Sequence, residues 1–376
     1  MSHHPMITRM VEDRPSAEQL VPLMIEAQEP VQSGEAHPLV LQFEARISQL
    51  FMPPTVSLRA CQSGTAALQL AFASLVLRKG AAVLVPAYAP IQVPLALMRE
   101  GLVPVFMDVD ESQWTITPQK VHQIIAEHDI QAVVAVSVLG QSLNMQSWAD
   151  FADSTGMPVV VAAGQTLHHS PPVPGITVAY DLNGDQGLEL GIGGLVVTSH
   201  STQMAHIDNL LRWGAFEGRV VALGNDWVMS PYHAAVGLTQ LTRWHHIQEV
   251  RRRVFHGLAE RISTISPLVY WKPDSLEAMG VIQLESADTK SAVQLALQEA
   301  SIEAVEPLAS ILPVMPAFHQ CGVVDKAAHS RHLVHTLLAV PMHHQLYDWH
   351  LDRIQVAITH GLMVRADDPL VSDLVL

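Results

Sequence analysis

Cysteine is almost absent from this chain, and long apolar runs are missing altogether. Only Cys61 and Cys321 occur among 376 residues, which argues against a disulfide framework and fits a reducing compartment. No apolar run reaches the ~18 residues that a membrane-spanning helix needs. The first twenty residues lack the apolar stretch of a secretory signal. We therefore expect a cytoplasmic protein that does not engage a membrane.

Positive charge is also scarce. The chain has 21 Lys and Arg against 36 Asp and Glu, for a net charge of −15. Nucleic acids and anionic membranes require clustered Lys and Arg, so neither is an expected partner. Lysine itself occurs only five times, as Lys79, Lys120, Lys272, Lys290 and Lys326. This scarcity limits any chemistry that needs a lysine amine.

Apolar residues, by contrast, make up 49% of the chain, enough for a large core in two domains. Four short β-branched runs, at 81–88, 102–110, 131–140 and 157–164, alternate with amphipathic segments. Strand and helix in succession predict right-handed crossovers and a mostly parallel sheet between layers of helices.

The character of the sequence changes after about residue 232. A long apolar-periodic helix is followed by alternating strands and helices of α+β type. The predicted division is therefore a large α/β domain over 1–245, including the N-terminal segment, and a smaller C-terminal α+β domain over 246–376.

The stretch "SGTAAL" (63–68) has a physical meaning of its own. A Ser-Gly-Thr turn that opens a helix presents backbone N–H groups and the positive end of the helix dipole, which together bind phosphate. The plainer interpretation is an ordinary N-cap, a common role of Ser and Thr. Judged from these residues alone, the N-cap interpretation is favoured over a phosphate site.

Several short motifs occur together in one order: "SGTAAL", "VPAY", "VPVFMDVD", "GQSLNM", "GGLVVTS", "HAAVGLTQL" and "VPMHHQL". From about Pro15 to the C-terminus, the chain resembles the DegT/DnrJ/EryC1/StrS sugar aminotransferases. The resemblance implies the type I fold of pyridoxal-phosphate (PLP) dependent transferases, with a seven-stranded, mostly parallel sheet in the large domain. It also implies amination of nucleotide-linked keto-sugars and a homodimer whose subunits complete each other's sites.

The resemblance also locates the two residues on which PLP chemistry depends. The family's Schiff-base lysine matches Gln186, and a slip of one residue gives Asp185 or Gly187. An amide cannot form an imine, so the position excludes the internal aldimine. The acid that keeps the pyridine nitrogen protonated matches Ala162, and the glutamate of the family's Gly-Glu-Gly-Gly matches Ile192.

The rest of the implied cofactor pocket departs from the family as well. A phosphate-binding serine matches Asp181, and an asparagine contributed by the partner subunit matches Asp226. The arginine two residues later matches Val228, and the aromatic residue over the cofactor ring matches Pro90. Of the cofactor-binding set, Ser63, Gly64, Thr65 and Gln165 are retained, and Tyr88 is a candidate replacement for the aromatic residue.

Three functions remain open at this point. The first is a catalytically degenerate homologue, a pseudoenzyme without a cofactor, that binds a sugar nucleotide, a related metabolite or a paralogous partner. The second is a nucleotide-sugar aminotransferase or dehydratase that holds PLP or pyridoxamine phosphate (PMP) non-covalently. The third is different acid/base or metal chemistry on Asp181, Asp185 and Asp226.

Cys61 and the paired histidines are further candidate sites, and each has a simpler structural interpretation. Cys61 precedes a helix N-terminus, which lowers a thiol pKa, but a small buried residue is the simpler interpretation. The paired histidines in "LHHSPP" and "RWHHIQ" point in different directions on a strand or helix. No metal site is therefore expected.

Overall fold

The computed structural model describes residues 6–8, 14–31, 35–164, 166–183, 188–216, 219–265, 269–271 and 279–366. Its helices are α1 (Ala17–Glu26), α2 (Pro38–Phe51), α3 (Gly64–Ser74), α4 (Gln92–Arg99), α5 (Pro118–Glu127), α6 (Met145–Thr155), α7 (Ser201–Leu211), α8 (Pro231–Ser263), α9 (Ala287–Glu299), α10 (Ala328–Thr336) and α11 (Asp348–Ala366). None of the described helices is long and apolar enough to cross a membrane.

The strands of the first part are β1 (Ser57–Cys61), β2 (Ala82–Pro86), β3 (Val103–Met107), β4 (Ala132–Val136), β5 (Val159–Gly164), β6 (Thr177–Asp181), β7 (Gly194–Thr198), β8 (Ala215–Phe216) and β9 (Arg219–Val220). Those of the second part are β10 (Val269–Trp271), β11 (Gly280–Leu284), β12 (Gly322–Val323) and β13 (Leu337–Val340). The four strands predicted from apolar runs are β2 to β5, each shorter than its run.

The central sheet has the order β1-β7-β6-β5-β4-β2-β3-β12. Strands β6, β5, β4, β2 and β3 are parallel, and β7 runs antiparallel to both β6 and β1. The expected mostly parallel α/β sheet is thus confirmed. It has eight strands rather than seven because the two-residue β12, from the second part of the chain, pairs with β3.

The sheet is buried on both faces. In β2, Val83 and Val85 pack into one apolar cluster, while Leu84 between them packs into the other. Alternate side chains of a strand point to opposite faces, so a strand covered on both sides reads as a continuous apolar run. This is the physical reason why the strands were visible in the sequence.

The second part has its own core around the antiparallel sheet β10-β11-β13, with α9 and α11 packed together. Helix α8 is continuous through residue 245, where the sequence predicts a boundary. It begins with Ser230, whose Oγ accepts from Tyr232 N, and with a proline at its first position, a pre-organised start.

Candidate functional site

A cavity of about 270 Å³ lies at the carboxyl ends of β4, β5 and β6, beside the start of α3. Open parallel sheets bind their ligands at this edge. The cavity is lined by Gly64, Thr65, Leu68, Pro90, Gln92, Val93, Val136, Ser137, Leu139, Gly140, Ala162, Gly164, Ala179, Tyr180, Asp181, Asn183, Met279, Pro307 and Leu308. Met279, Pro307 and Leu308 come from the second part of the chain.

The N-terminus of α3 forms one wall of the cavity. Ser63 is extended at the N-cap, and its Oγ accepts a hydrogen bond of 3.1 Å from Ala66 N. Gly64 and Thr65 follow and line the cavity. Both interpretations of this turn therefore hold locally: Ser63 is an N-cap, and the helix end faces a cavity.

Asp181 lies directly against this helix end. Residues Cys61, Gly194 and Asp181 are aligned across β1, β7 and β6, so the last residue of β6 stands beside the turn that follows β1. A Cβ placed on Gly64 would lie 2.4 Å from Asp181 Cγ and 2.7 Å from its Oδ1. A larger residue at position 64 would have to displace this carboxylate.

The strand ends that form the cavity's inner wall are apolar. Ala162 pairs with Val136 of β4 on one side and Ala179 of β6 on the other, and all three line the cavity. Ala162, which the resemblance matches to the family's acid, lies in this row. None of these three side chains can hold a proton on a pyridine nitrogen.

Of the other residues predicted for the cofactor pocket, some line the cavity and some do not. Pro90 lines the cavity, whereas Tyr88 is fully buried and is not among the lining residues. The Tyr88 hydroxyl has no hydrogen-bond partner among the described residues, and burial raises its pKa. Gln165 and Gln186 lie outside the described residues.

Asp226 does not reach the cavity of its own chain. Val228 forms an antiparallel bridge with Cys61, and Gln62 N donates to Trp227 O at 2.8 Å. This places the segment on the far side of β1, three strand spacings from Asp181, or roughly 14 Å at about 4.8 Å each. Asp226 itself is exposed.

An acid or metal cluster built on these carboxylates has little support within one chain. Asp185 lies outside the described residues, and Asp181 and Asp226 stand far apart. Within the part of the chain that the structure describes, no three His, Cys, Asp or Glu side chains are grouped to hold a metal ion.

The four described lysines all lie away from the cavity lining. Lys79 and Lys326 are exposed, and Lys120 pairs with Asp110 at 3.3 Å. Lys290 is buried and pairs with Glu306 at 2.7 Å. Neither these lysines nor any described arginine or histidine lines the cavity, which leaves Asp181 as the ionisable carboxylate there.

Cys61 is a core residue. Its side chain is fully buried, and its Sγ donates to Ser63 O at 3.4 Å. Burial raises the pKa of this thiol far above its usual range. A helix terminus lowers a thiol pKa only where the thiolate can be solvated or paired, so the geometry favours the plainer interpretation of Cys61.

Sequence reasoning missed three polar residues of the cavity. Ser137 directly follows β4, Asn183 follows β6, and Gln92 begins α4. Their position in the sequence could have identified them, because polar residues just after parallel strands gather at the ligand-binding edge of the sheet. Asn183 N also donates to Asp181 Oδ1 at 3.1 Å.

PLP does not fit these residues as they stand. The cofactor's phosphate would share the N-terminus of α3 with the Asp181 carboxylate, and its pyridine nitrogen would face Val136, Ala162 and Ala179. At an effective dielectric near 20, two like charges about 4 Å apart repel by about 4 kcal/mol. No described lysine is placed to form a Schiff base.

Known proteins share this architecture. A putative PLP-dependent aminotransferase from Bacillus cereus superposes with a TM-score of 0.84 over 94% of this chain and 100% of that chain, at 17% identity. At that identity the similarity establishes the fold alone.

Two sequence relatives extend the comparison. The dTDP-4-amino-4,6-dideoxy-D-glucose transaminase of Shigella dysenteriae is 23% identical over 88% of this chain and 92% of its own length. The putative pyridoxal phosphate-dependent aminotransferase EpsN of Bacillus subtilis is 25% identical over 58% of this chain and 59% of its own. The chain spans only about half the length of several further relatives.

The sequence profile of one family covers most of the chain, from residue 24 to residue 359. That range includes the start of α3, the apolar row on β4 to β6 and the loop between β6 and β7. It also extends through the second part to α11. The chain therefore belongs to the DegT/DnrJ/EryC1/StrS aminotransferase family.

Proposed function

We propose that this chain is a non-transaminating member of its family that binds a sugar nucleotide or a related metabolite in the cavity beside α3. The single observation that carries the proposal is the apolar row of Val136, Ala162 and Ala179, where PLP chemistry requires an acid. Without that acid the pyridine ring is a poor electron sink, whichever lysine approaches it.

Preservation of the surrounding fold supports retention of a ligand. The cavity is formed by both parts of the chain and keeps a mixture of apolar walls and a few polar groups, namely Thr65, Gln92, Ser137 and Asn183. Small-molecule sites have this composition. The alternative is that the chain binds a paralogous protein instead of a metabolite.

The relatives, taken alone, favour a second function. Those named above are called aminotransferases or transaminases, and two are named as PLP-dependent. They give no support to the expectation that no cofactor binds. The second candidate is therefore a nucleotide-sugar aminotransferase or dehydratase that holds PLP or PMP non-covalently, with Ser63 to Thr65 toward the phosphate.

A PLP titration separates the two functions. We expect the purified chain to produce no new absorbance band, and borohydride treatment to add no mass to the intact protein. The matched positive control is the triple variant A162D/D181S/Q186K, which returns the acid, the serine and the lysine of the family. A lysine adduct on the unmodified chain, located by peptide mapping, would return the aminotransferase to first place.

Ligand binding is tested separately by calorimetry with a nucleoside-diphosphate sugar. We expect binding to the unmodified chain and its loss in Ala162→Leu, whose larger side chain projects from the strand ends into the cavity. Leu295→Ala, on an exposed part of α9, is the control and should bind as the unmodified chain does. Equal binding by both variants would place the ligand elsewhere.

We also propose a homodimer. The end of β9 and the segment after it expose large apolar side chains, with Val220, Val221 and Leu223 exposed by 72%, 61% and 88%. Contiguous apolar residues on a surface hairpin are typical of contact sites. Light scattering should give twice the 41.1 kDa chain mass, and Leu223→Asp should shift the equilibrium toward the monomer.

A further inference from the structure

One wall of the cavity comes from an irregular stretch in the second part of the chain, residues 305–312, which we call the 305–312 segment. Pro307 and Leu308 lie in its middle and line the cavity. From Glu306 to Ile311 the segment is neither helix nor strand. Among the described residues, no backbone N–H from Leu308 to Ile311 donates to another backbone group. The position of this wall therefore depends on side-chain packing and on the contacts at the two ends of the segment.

The two ends of the 305–312 segment are attached to different parts of the chain. At one end, Leu312 N donates to Ala87 O at 2.9 Å, and Ile311 and Leu312 are buried in the apolar cluster on one face of β2. At the other end, Val305 forms an antiparallel bridge with Ala339 of β13, through backbone hydrogen bonds of 3.1 and 2.8 Å. The segment thus connects the first part of the chain with the second beside the cavity.

A buried lysine holds the residue that directly precedes the wall. Lys290 of α9 is 6% exposed, and its Nζ donates to Glu306 Oε1 at 2.7 Å and to Val334 O at 2.9 Å. The bond to the α10 carbonyl fixes the ammonium group, and the ammonium group in turn fixes Glu306. Charge-assisted hydrogen bonds of this kind are stronger than neutral ones. Glu306 is followed at once by Pro307, so the ion pair fixes the start of the wall.

Stability alone is a weak reason for this ion pair. An apolar side chain of similar length could fill the space of Lys290, and such replacements of buried charges are often neutral for folding. The Glu306 side chain is 38% exposed, so water would solvate its carboxylate if the lysine were removed. What the pair supplies is a defined position for Glu306 and, with it, for Pro307 and Leu308.

We propose that Lys290 is a positioning residue of the cavity: it holds Glu306, fixes the wall formed by the next two residues, and thereby sets the affinity for the ligand. The statement about affinity rests on the proposed function, in which this cavity binds a sugar nucleotide or a related metabolite. Lys290 is not among the residues that line the cavity, so it acts on the ligand through Glu306 and the wall.

The test compares two lysine-to-methionine variants of the full chain. Lys290→Met keeps the length of the side chain and removes the ammonium group. Lys120→Met is the matched control, because Lys120 also contacts one carboxylate, Asp110 at 3.3 Å, and one backbone carbonyl, Val109 O at 3.2 Å. None of these three control residues lines the cavity. Lys290→Arg, which keeps the positive charge, is the conservative variant.

Hydrogen exchange examines the 305–312 segment without any ligand. In Lys290→Met we expect the Val305 amide to exchange about tenfold faster than in the unmodified chain, because the adjacent ion pair is lost. The amides of β4 should keep their rates, and Lys290→Arg should restore most of the protection of Val305. Lys120→Met should leave Val305 unchanged. An unchanged Val305 rate in Lys290→Met, or an equal acceleration of Val305 and β4, would overturn the inference.

Calorimetry with UDP-glucose, used as the nucleoside-diphosphate sugar, then measures the consequence for binding. We expect Lys290→Met to bind at least about fivefold more weakly than the unmodified chain, because a wall that is no longer fixed must be ordered by the ligand. Lys290→Arg and Lys120→Met should stay within about twofold of the unmodified chain. Equal affinity in Lys290→Met and the unmodified chain would overturn the inference. No binding by any of the four forms would contradict the proposed function, and the exchange rates would still decide whether Lys290 fixes the segment.

Discussion

Two helices of this protein begin against a carboxylate from a distant part of the chain, and the two ends differ in whether the helix has a cap of its own. At α10, Asp108 accepts from His329 N and Ser330 N at 2.8 Å each and from Ser330 Oγ at 2.6 Å. The N-cap there, Ala327, has no side chain able to cap and adopts φ 47°. Asp108 therefore performs the capping that the local sequence lacks.

At α3 the local cap is already present. Ser63 accepts from Ala66 N, and the Asp181 side chain packs against Gly64 beside the cavity. The carboxylate at α10 thus supplies the helix cap, whereas the one at α3 lies beside a cap that the local sequence already provides.

Removing the Asp108 carboxylate should have the largest effect on folding. Asp108→Ala breaks four hydrogen bonds to a charged acceptor, three of them from α10 and one from Val109 N. It leaves the start of α10 uncapped, and we expect a loss of about 2 to 3 kcal/mol in the free energy of unfolding. Urea unfolding measures it. Asp181→Asn should lose less than about 1 kcal/mol, because Ser63 still caps α3.

The exposed ion pair of Arg78 with Asp129, at 3.5 Å, supplies the control. Asp129→Ala should change stability by no more than about 0.5 kcal/mol, as is typical of surface pairs. Equal losses of unfolding free energy in Asp108→Ala and Asp181→Asn would contradict this difference, because Asp181 would then contribute as much to stability as Asp108 does.

Crowding at Gly64 should produce the next effect. Gly64→Ala places a methyl group 2.4 Å from Asp181 Cγ, and we expect a loss of about 1 to 2 kcal/mol from the forced displacement. In an Asp181→Ser background the loss should shrink, since the shorter side chain can give way. A double-mutant cycle measured by urea unfolding gives the coupling. Strict additivity would mean that the two residues do not compete for the same space.

The pH dependence of stability distinguishes Asp108 further. Burial raises its pKa, but the hydrogen bonds from Ser330, His329 and Val109 outweigh that effect, and the net pKa is lowered. A carboxyl with a lowered folded-state pKa contributes stability above its unfolded pKa of about 3.9, and that contribution disappears as the pH falls through the folded value. The difference in unfolding free energy between the unmodified chain and Asp108→Asn should therefore be constant near neutral pH and shrink below about pH 4.

The sequence predicted the parallel sheet because strands buried on both faces are continuous apolar runs, as β2 and β4 are. It also located the α3 turn, since Ser63 and Gly64 carry a local signal. It could not place Tyr88, whose aromatic ring is typical of both a core and a cofactor-stacking position. Nor could it reveal the contact of Asp181 with Gly64, because strand order and register create that contact across 117 residues of chain.

The smallest expected effect concerns the thiol beneath the α3 turn. Cys61 is fully buried in the same cross-strand row as Asp181, whereas Cys321 is partly exposed. The native chain should therefore react with a thiol reagent once, at Cys321, and twice only when unfolded. Asp181→Asn and Asp108→Ala should leave Cys61 protected under native conditions, while Gly64→Ala should raise its reaction rate, since forcing Asp181 aside loosens the turn over Cys61. A faster reaction in Asp108→Ala than in Gly64→Ala would mean that protection of Cys61 follows global stability rather than the packing at the α3 end.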